Sequence, residues 1–324
     1  MVLATIVLFL PAGADGSKAR PIKEPRIEAD QINDPTLSST IAVNARGSAV
    51  VRAQILLDRA HFSSGEIDGN YGTNLEKTVT AFQRAHGVVA NGVVGPETWA
   101  ILNQDAEPAL ISYSIAAEDV AGPFVKLPAD IMEQAALPVL GYESPLEALG
   151  ERFHASPNLL KTLNPAASFD TVGESVLVPG ISTTPPGKAA TVIVSKSDSS
   201  VTAYGADGKI LSYYVATVGS EHDPLPIGKE RVKDIARNPV FHYNPQLFWD
   251  SNPSDQKAEI KPGPRNPVGV VWIGLSKEHY GIHGTPAPSR IGHSESHGCI
   301  RLTNWDATDL AGMVKTGTPV LLEE

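Results

Sequence analysis

Cysteine is almost absent from this chain: Cys299 is the only one in 324 residues. A single thiol excludes an intramolecular disulfide framework. Positive charge is not in excess either. The formal net charge of −10 argues against a general nucleic-acid binder, which would carry a basic stripe, although a local basic patch could still meet an acidic partner. No apolar run is long enough to span a bilayer. Charged residues make up only 19% of the chain, while 26 prolines and 28 glycines point to many turns and linkers. With 42% hydrophobic residues there is enough apolar material for buried cores, and the length suits two or three domains. The composition is that of a β-rich, modular, soluble protein.

The apolar stretch Met1 to Leu10, followed by Pro11 and Ala12-Gly13-Ala14, looks like the core and A-x-A cleavage site of a secretory signal, without a positive leading region. The alternative is an N-terminal strand or buried helix. The expectation is a signal-like segment over 1–14 and an exported protein of the periplasm or cell wall. No cysteine closely follows the apolar run, which argues against a lipoprotein anchor. An unpaired cysteine in an exported chain calls for a reactive role.

Residues 15–40 are polar, proline-containing and aperiodic, and read as a linker. In 41–105, Val50 to Ala60 and Leu75 to His86 have apolar residues at helical spacing, and a third helix starts at Pro96. Turn clusters at Gly65 to Gly72 and Asn91 to Gly95 separate them. With Asp68-Gly69, Tyr71-Gly72, Ala81-Phe82-Gln83 and Gly95-Pro96 before Thr98-Trp99, this segment resembles the small three-helix peptidoglycan-binding domain of cell-wall enzymes. In 112–181, Ser144 caps a helix, Pro157 opens a second, and Gly173 to Pro179 closes as a strand. That order resembles a LysM-like βααβ module, with Leu127 to Val139 as an insertion. Residues 182–188 form another linker. Residues 189–324 are strand-rich, with one late helix over Trp305 to Lys315 capped by Thr303 or Asn304, and suggest a β-sandwich-like domain. The fold class is therefore multidomain α+β.

Two motifs carry the chemistry: Tyr280-Gly281-Ile282-His283-Gly284-Thr285 and Ser296-His297-Gly298-Cys299-Ile300-Arg301-Leu302. A thiol attacks only as thiolate and needs a base, so a lone cysteine with two histidines close in sequence suggests nucleophilic catalysis. Taken singly, Cys299 could be an inert small hydrophobe and His283 a hydrogen-bonded structural residue. A zinc site from His283, His293, His297 and Cys299 is a rival reading, but H-x-C spacing is not the usual zinc pattern. His293 falls in the irregular loop between the motifs and reads as exposed and inessential.

With Gly219, the P-x-P-x-G of Pro224 to Gly228, Trp272 to Leu275 and Gly317 to Val320, these motifs resemble the catalytic domain of the L,D-transpeptidases (the YkuD family) over about 135 residues. The resemblance implies Cys299 as nucleophile and His283 as general base, oriented by the Gly284 carbonyl. His297, counted with the catalytic residues, and Ser296, counted with the substrate-binding ones, would shape the same loop and contact substrate. Gly298 and Cys299 would offer backbone N–H groups to an oxyanion, and Arg301 and Tyr280 would contact substrate. Arg301 could equally pin the loop to Asp306. The implied substrate is a peptidoglycan tetrapeptide stem, cleaved after its L-centred third residue and joined to an acceptor amine. The N-terminal modules would tether the enzyme to wall glycan. No cofactor or metal is implied, and carbapenems are the implied inhibitor class. Two alternatives stay open: an L,D-carboxypeptidase or cross-link-cleaving relative that uses water, and a non-catalytic wall-binding protein. A hairpin lid near Asn244 to Val270 is a further expectation.

Overall fold

A computed structural model describes residues 26–324; the signal-like segment 1–14 lies outside the described residues. The first unit contains α1 (Ala29–Ile32), α2 (Ser48–Arg59), the short strand β1 (Phe62–Ser63), α3 (Thr73–Ala85) and α4 (Pro96–Leu102). Leu75, Val79 and Phe82 of α3 recur every three to four residues, so one face of that helix meets Val50, Leu56 and Leu57 of α2 and Trp99 of α4. The described end of the expected 15–40 linker is packed instead. Ile32 is fully buried, Arg52 Nη1 donates to its carbonyl at 2.9 Å, and Asn33 exchanges two hydrogen bonds with the backbone of Leu110. Satisfied backbone groups and an apolar anchor hold this stretch, although its composition is that of a loop.

The second unit runs β2 (Leu110–Ser114), α5 (Ile131–Ala135), α6 (Pro145–Arg152), α7 (Pro157–Leu163) and β3 (Ser175–Pro179). β2 and β3 pair antiparallel from Leu110↔Pro179 to Ser114↔Ser175. Ser144 and Ser156 cap α6 and α7 by accepting from Glu147 N and Leu159 N. β2 begins at Leu110, before the boundary expected at 112, and Ile111, its second residue, is 40% exposed, so it shows little apolar pattern. The inserted stretch carries α5, and its Leu127, Ile131 and Met132 pack with Leu140 against Tyr243 and Ile260 of the third unit.

The third unit has strands β4 (Thr191–Ser195), β5 (Ser200–Tyr204), β6 (Ile210–Val215), β7 (Thr217–Val218), β8 (Gly228–Arg237), β9 (Phe241–Tyr243), β10 (Ala258–Ile260), β11 (Val271–Leu275), β12 (Gly281–His283) and β13 (Ile300–Arg301). Helix α8 (Asn304–Met313) and strand β14 (Pro319–Glu323) end the chain. Instead of the two sheets of a sandwich, ten strands join in one sheet, ordered β1-β6-β5-β4-β14-β8-β11-β12-β13-β7. Only Ala216 separates β6 from β7, yet they lie near opposite ends of that order, so the sheet must curl until its ends approach. Val192, Val201, Ile273, Ile282 and Ile300 fill the curl, with Leu310 and Met313 of α8. β8, the longest strand, pairs with both β14 and β11, but only Val232 in it is buried. Its charged sequence hides its central place. β1 extends the sheet from the first unit, pairing parallel with β6, so the first two segments are not loose tethers.

A cavity of about 450 Å³ lies where the three units meet. His154 pairs with Asp58 at 3.0 Å, His61 with Asp309 at 2.8 Å, and Ser63 Oγ donates to Asp306 at 3.0 Å. Burial pushes the Asp306 carboxyl up to about 8, opposed by its Thr303 hydrogen bond and reinforced by Asp58. Its folded value lies above its unfolded one. The native state therefore holds a proton that the unfolded state has lost, and stability falls as pH rises from about 4 to about 8. Asp306→Asn keeps an acceptor for Ser63 and removes the charge. The variant should match the wild type near pH 5 and exceed it by about 1–3 kcal/mol near pH 8.5, measured by denaturant unfolding. Equal stability at both pH values would show that Asp306 is not held protonated.

Candidate active site

The registers of four neighbouring strands build the site. Trp272 of β11 lies opposite His283 of β12, His283 opposite Arg301 of β13, and Arg301 opposite Thr217 of β7. Side chains alternate along a strand. Ile282 and Ile300 point into the core, so His283, Arg301 and Cys299 share the other face. The fifteen residues between His283 and Cys299 in sequence are thereby closed by a parallel pairing.

His283 is 4% exposed. Its Nδ1 lies 2.7 Å from the Gly284 carbonyl. A carbonyl only accepts, so Nδ1 carries the proton and the neutral ring presents a bare Nε2. Burial, then the Arg301 guanidinium, depresses its pKa to about 3, with the Gly284 bond opposing. Trp272 stacks on the ring at 5.5 Å and 20°. That indole crosses Gly281, where a Cβ would lie 2.6 Å from it. The Asn304 carboxamide lies against Gly284 and accepts from Val270 N at 3.1 Å. The sequence marks neither as a site residue, although Trp272 stands in a stretch that carries the resemblance and Asn304 at the start of the late helix.

Cys299 Sγ makes a long contact of 3.5 Å with the His279 carbonyl, and no hydrogen bond joins it to His283 among the described residues. Burial pushes the thiol above its ordinary value. The Gly281 N–H and Arg301 oppose that, and Asp223 adds to it. Both shifts favour the uncharged forms, thiol for Cys299 and imidazole for His283. The N–H groups of Gly298 and Cys299 donate to no acceptor among the described residues. Gly298 has φ +87°, and a Cβ there would lie 2.8 Å from the Tyr280 ring, so the turn beside the thiol needs glycine.

The remaining motif residues shape the loop. Ser296 Oγ donates to the Cys299 carbonyl at 2.6 Å, and Ser296 N to the Gly219 carbonyl at 3.0 Å, so the hydroxyl expected near substrate serves the turn. His297 turns away to the β9–β10 hairpin. Its Nε2 bonds Asp250 Oδ1 at 2.8 Å, and Phe248 and Trp249 pack on its ring. Arg301 Nη1 donates to the Glu295 carbonyl at 3.1 Å and does not pin the loop to Asp306. Tyr280 covers Gly298, and its hydroxyl is pushed up by burial and by Cys299. His293 is exposed. Trp249, 59% exposed, packs at a tilt on His222 at 4.6 Å. Among the described residues no cluster of three or more His, Cys, Asp or Glu side chains is set to hold a metal.

A family model described as the L,D-transpeptidase catalytic domain matches residues 189–322, and one described as a putative peptidoglycan binding domain matches 46–102. The putative L,D-transpeptidase YkuD of Bacillus licheniformis is 32% identical over 177 residues, covering 54% of this chain and 91% of the relative. The putative L,D-transpeptidase YqjB of Bacillus subtilis is 32% identical over 139 residues, covering 41% and 70%. Among solved structures, an L,D-transpeptidase fragment from Xylanimonas cellulosilytica aligns at 18% identity with a TM-score of 0.37, covering 89% of this chain and 100% of that one.

Proposed function

The chain belongs to the L,D-transpeptidase family of acyltransferases, and on that premise we propose that Cys299 is its nucleophile, His283 its base and a peptidoglycan stem peptide its substrate. The observation that carries the assignment is the bare Nε2 of His283 on the same sheet face as the Cys299 thiol, with two free backbone donors beside that thiol.

The geometry supports the following sequence of steps. Sγ attacks the carbonyl of the third, L-centred residue while Nε2 takes the thiol proton. The N–H groups of Gly298 and Cys299 receive the oxyanion. The C–N bond to the terminal D-Ala breaks, and that amine leaves with the proton held by His283. An acceptor amine then attacks the thioester, His283 takes its proton, an amide forms, and the thiol is restored. Trp272 and the Gly284 carbonyl keep the ring in one plane and one tautomer. The pairing of β2 with β3 around α6 and α7 supports a LysM-like unit, and the 46–102 match supports a peptidoglycan-binding first unit. We assign the domains as 41–105, with the packed stretch 26–40 beside it, 110–181 and 189–324. Action on peptidoglycan places the enzyme at the cell wall, with 1–14 as the export signal.

The test is the product. Purified enzyme with a disaccharide tetrapeptide should yield dimers that have lost one D-Ala, read by mass spectrometry. Tripeptide monomers alone would make water the acceptor and the enzyme an L,D-carboxypeptidase.

A further inference from the structure

The catalytic loop is held in part by the first unit. Residues 284–298 join the base to the nucleophile and contain no regular structure beyond a single 3-10 turn at Pro288–Arg290. Within the third unit this loop is tied by Gly284 N to Val271 O at 3.2 Å, Gly292 N to Thr217 Oγ1 at 3.0 Å, Ser296 N to Gly219 O at 3.0 Å, His297 Nε2 to Asp250 Oδ1 at 2.8 Å, and Arg301 to the Glu295 carbonyl. A further tie crosses to another unit. Ile291 is 3% exposed, and it belongs to the apolar cluster of Phe62, Leu75, Val79 and Phe82, not to the core inside the curled sheet. Asn74, in the first turn of α3, donates from Nδ2 to the Ile291 carbonyl at 2.9 Å. Gly292, at φ +75°, lets the loop pass directly against the Asn74 carboxamide. β1 fixes the first unit to the sheet: Phe62 lies opposite Tyr213, and Tyr213 N donates to the His61 carbonyl at 2.9 Å.

We infer that the first unit is a structural part of the active site, and that Asn74 and Ile291 are positioning residues that set the Ser296-to-Cys299 turn for acylation. This rests on the assignment of Cys299 as nucleophile. An apolar side chain locked in a close-packed core cannot drift, so the loop eight residues before the thiol has a fixed point. The turn that presents the free N–H groups of Gly298 and Cys299 is then held from both ends, by Ile291 and by β13. Forming a tetrahedral centre needs those donors in register with Sγ, whereas alkylating the thiol needs only the thiolate.

That difference supplies the test, made on the full chain with Ile291→Ala, Asn74→Asp and the conservative Ile291→Val. Asn74→Asp keeps the size and removes the N–H donor. Three readings are taken: the second-order rate of Cys299 acylation by a carbapenem, its alkylation by iodoacetamide across pH, and amide exchange of 286–298 against β11. Ile291→Ala and Asn74→Asp should lose about tenfold to a hundredfold in acylation, with alkylation within about twofold of wild type. Their loop should exchange faster while β11 stays protected, and Ile291→Val should recover most of the rate. If Ile291→Ala does not fold, Asn74→Asp carries the decision. Wild-type acylation in either folded variant overturns the inference, whether or not the loop exchanges faster. A wild-type chain that takes up no carbapenem at Cys299 removes the nucleophile assignment instead, and unchanged loop exchange in the variants would then still overturn the clamp.

Discussion

Cys299→Ala should abolish acylation by a carbapenem or by a tetrapeptide donor, a loss of at least about 10⁴-fold read by intact mass. The expectation rests on the surroundings of the thiol. Cys299 is the only cysteine, so no other thiol can take over. Its N–H and that of Gly298 remain in Cys299→Ala, so an oxyanion site without a nucleophile is left behind. Cys299→Ser should be nearly as inactive, because a hydroxyl is harder to ionise than a thiol in a buried setting. The side chain is small, and its hydrogen bonding is confined to a long contact with the His279 carbonyl and to the Gly281 N–H, so both variants should fold as the wild type does. A covalent adduct on Cys299→Ala would place the nucleophile elsewhere and sink the assignment.

His283→Gln should lower acylation by about 10²–10⁴-fold at neutral pH, the usual contribution of a positioned base. The pH dependence separates a base from a merely structural ring. Burial and Arg301 hold His283 near 3, so it stays neutral and proton-accepting throughout the range above that value. Burial holds the Cys299 thiol up, so it stays protonated to the alkaline side. Wild-type acylation should therefore be flat between about pH 5 and 8, with no limb near the ordinary histidine value of about 6.5. His283→Gln should instead climb about tenfold per pH unit, because only solution base then makes the thiolate. Stopped-flow rates of carbapenem acylation from pH 4 to 9 check both curves. A wild-type limb near 6.5 would mean that His283 titrates as an ordinary histidine and that burial does not hold it neutral.

Much of the chemistry is legible from single residues. Gly298 and Gly284 stand where a Cβ would strike Tyr280 and Asn304, and such close approaches leave glycines that a motif can reveal. The helices α3 and α4 are written in local periodicity, and Pro96 marks the first turn of α4. β8 is not legible, because a strand covered by neighbours on both edges can carry Lys, Glu and Arg on its outer face and lose its alternation. The β9–β10 hairpin is foreseen only as a lid, and its fastening by Asp250 to His297 and by the second unit's Leu127 and Met132 is not.

The sequence by itself determined the reactive groups: a lone thiol, a histidine sixteen residues before it, and the glycines that let backbone approach them. Those features are local, because each depends on what one residue can do chemically or sterically. Tertiary structure alone decided which groups face one another. The β12–β13 register sets His283 and Cys299 on one face, the hairpin takes His297 away from the reaction, and the first unit holds Ile291. These are contacts between residues far apart in the chain. They are selected by the shared burial of apolar surface and the pairing of backbone groups, and neither leaves a signal in the residues on one side alone.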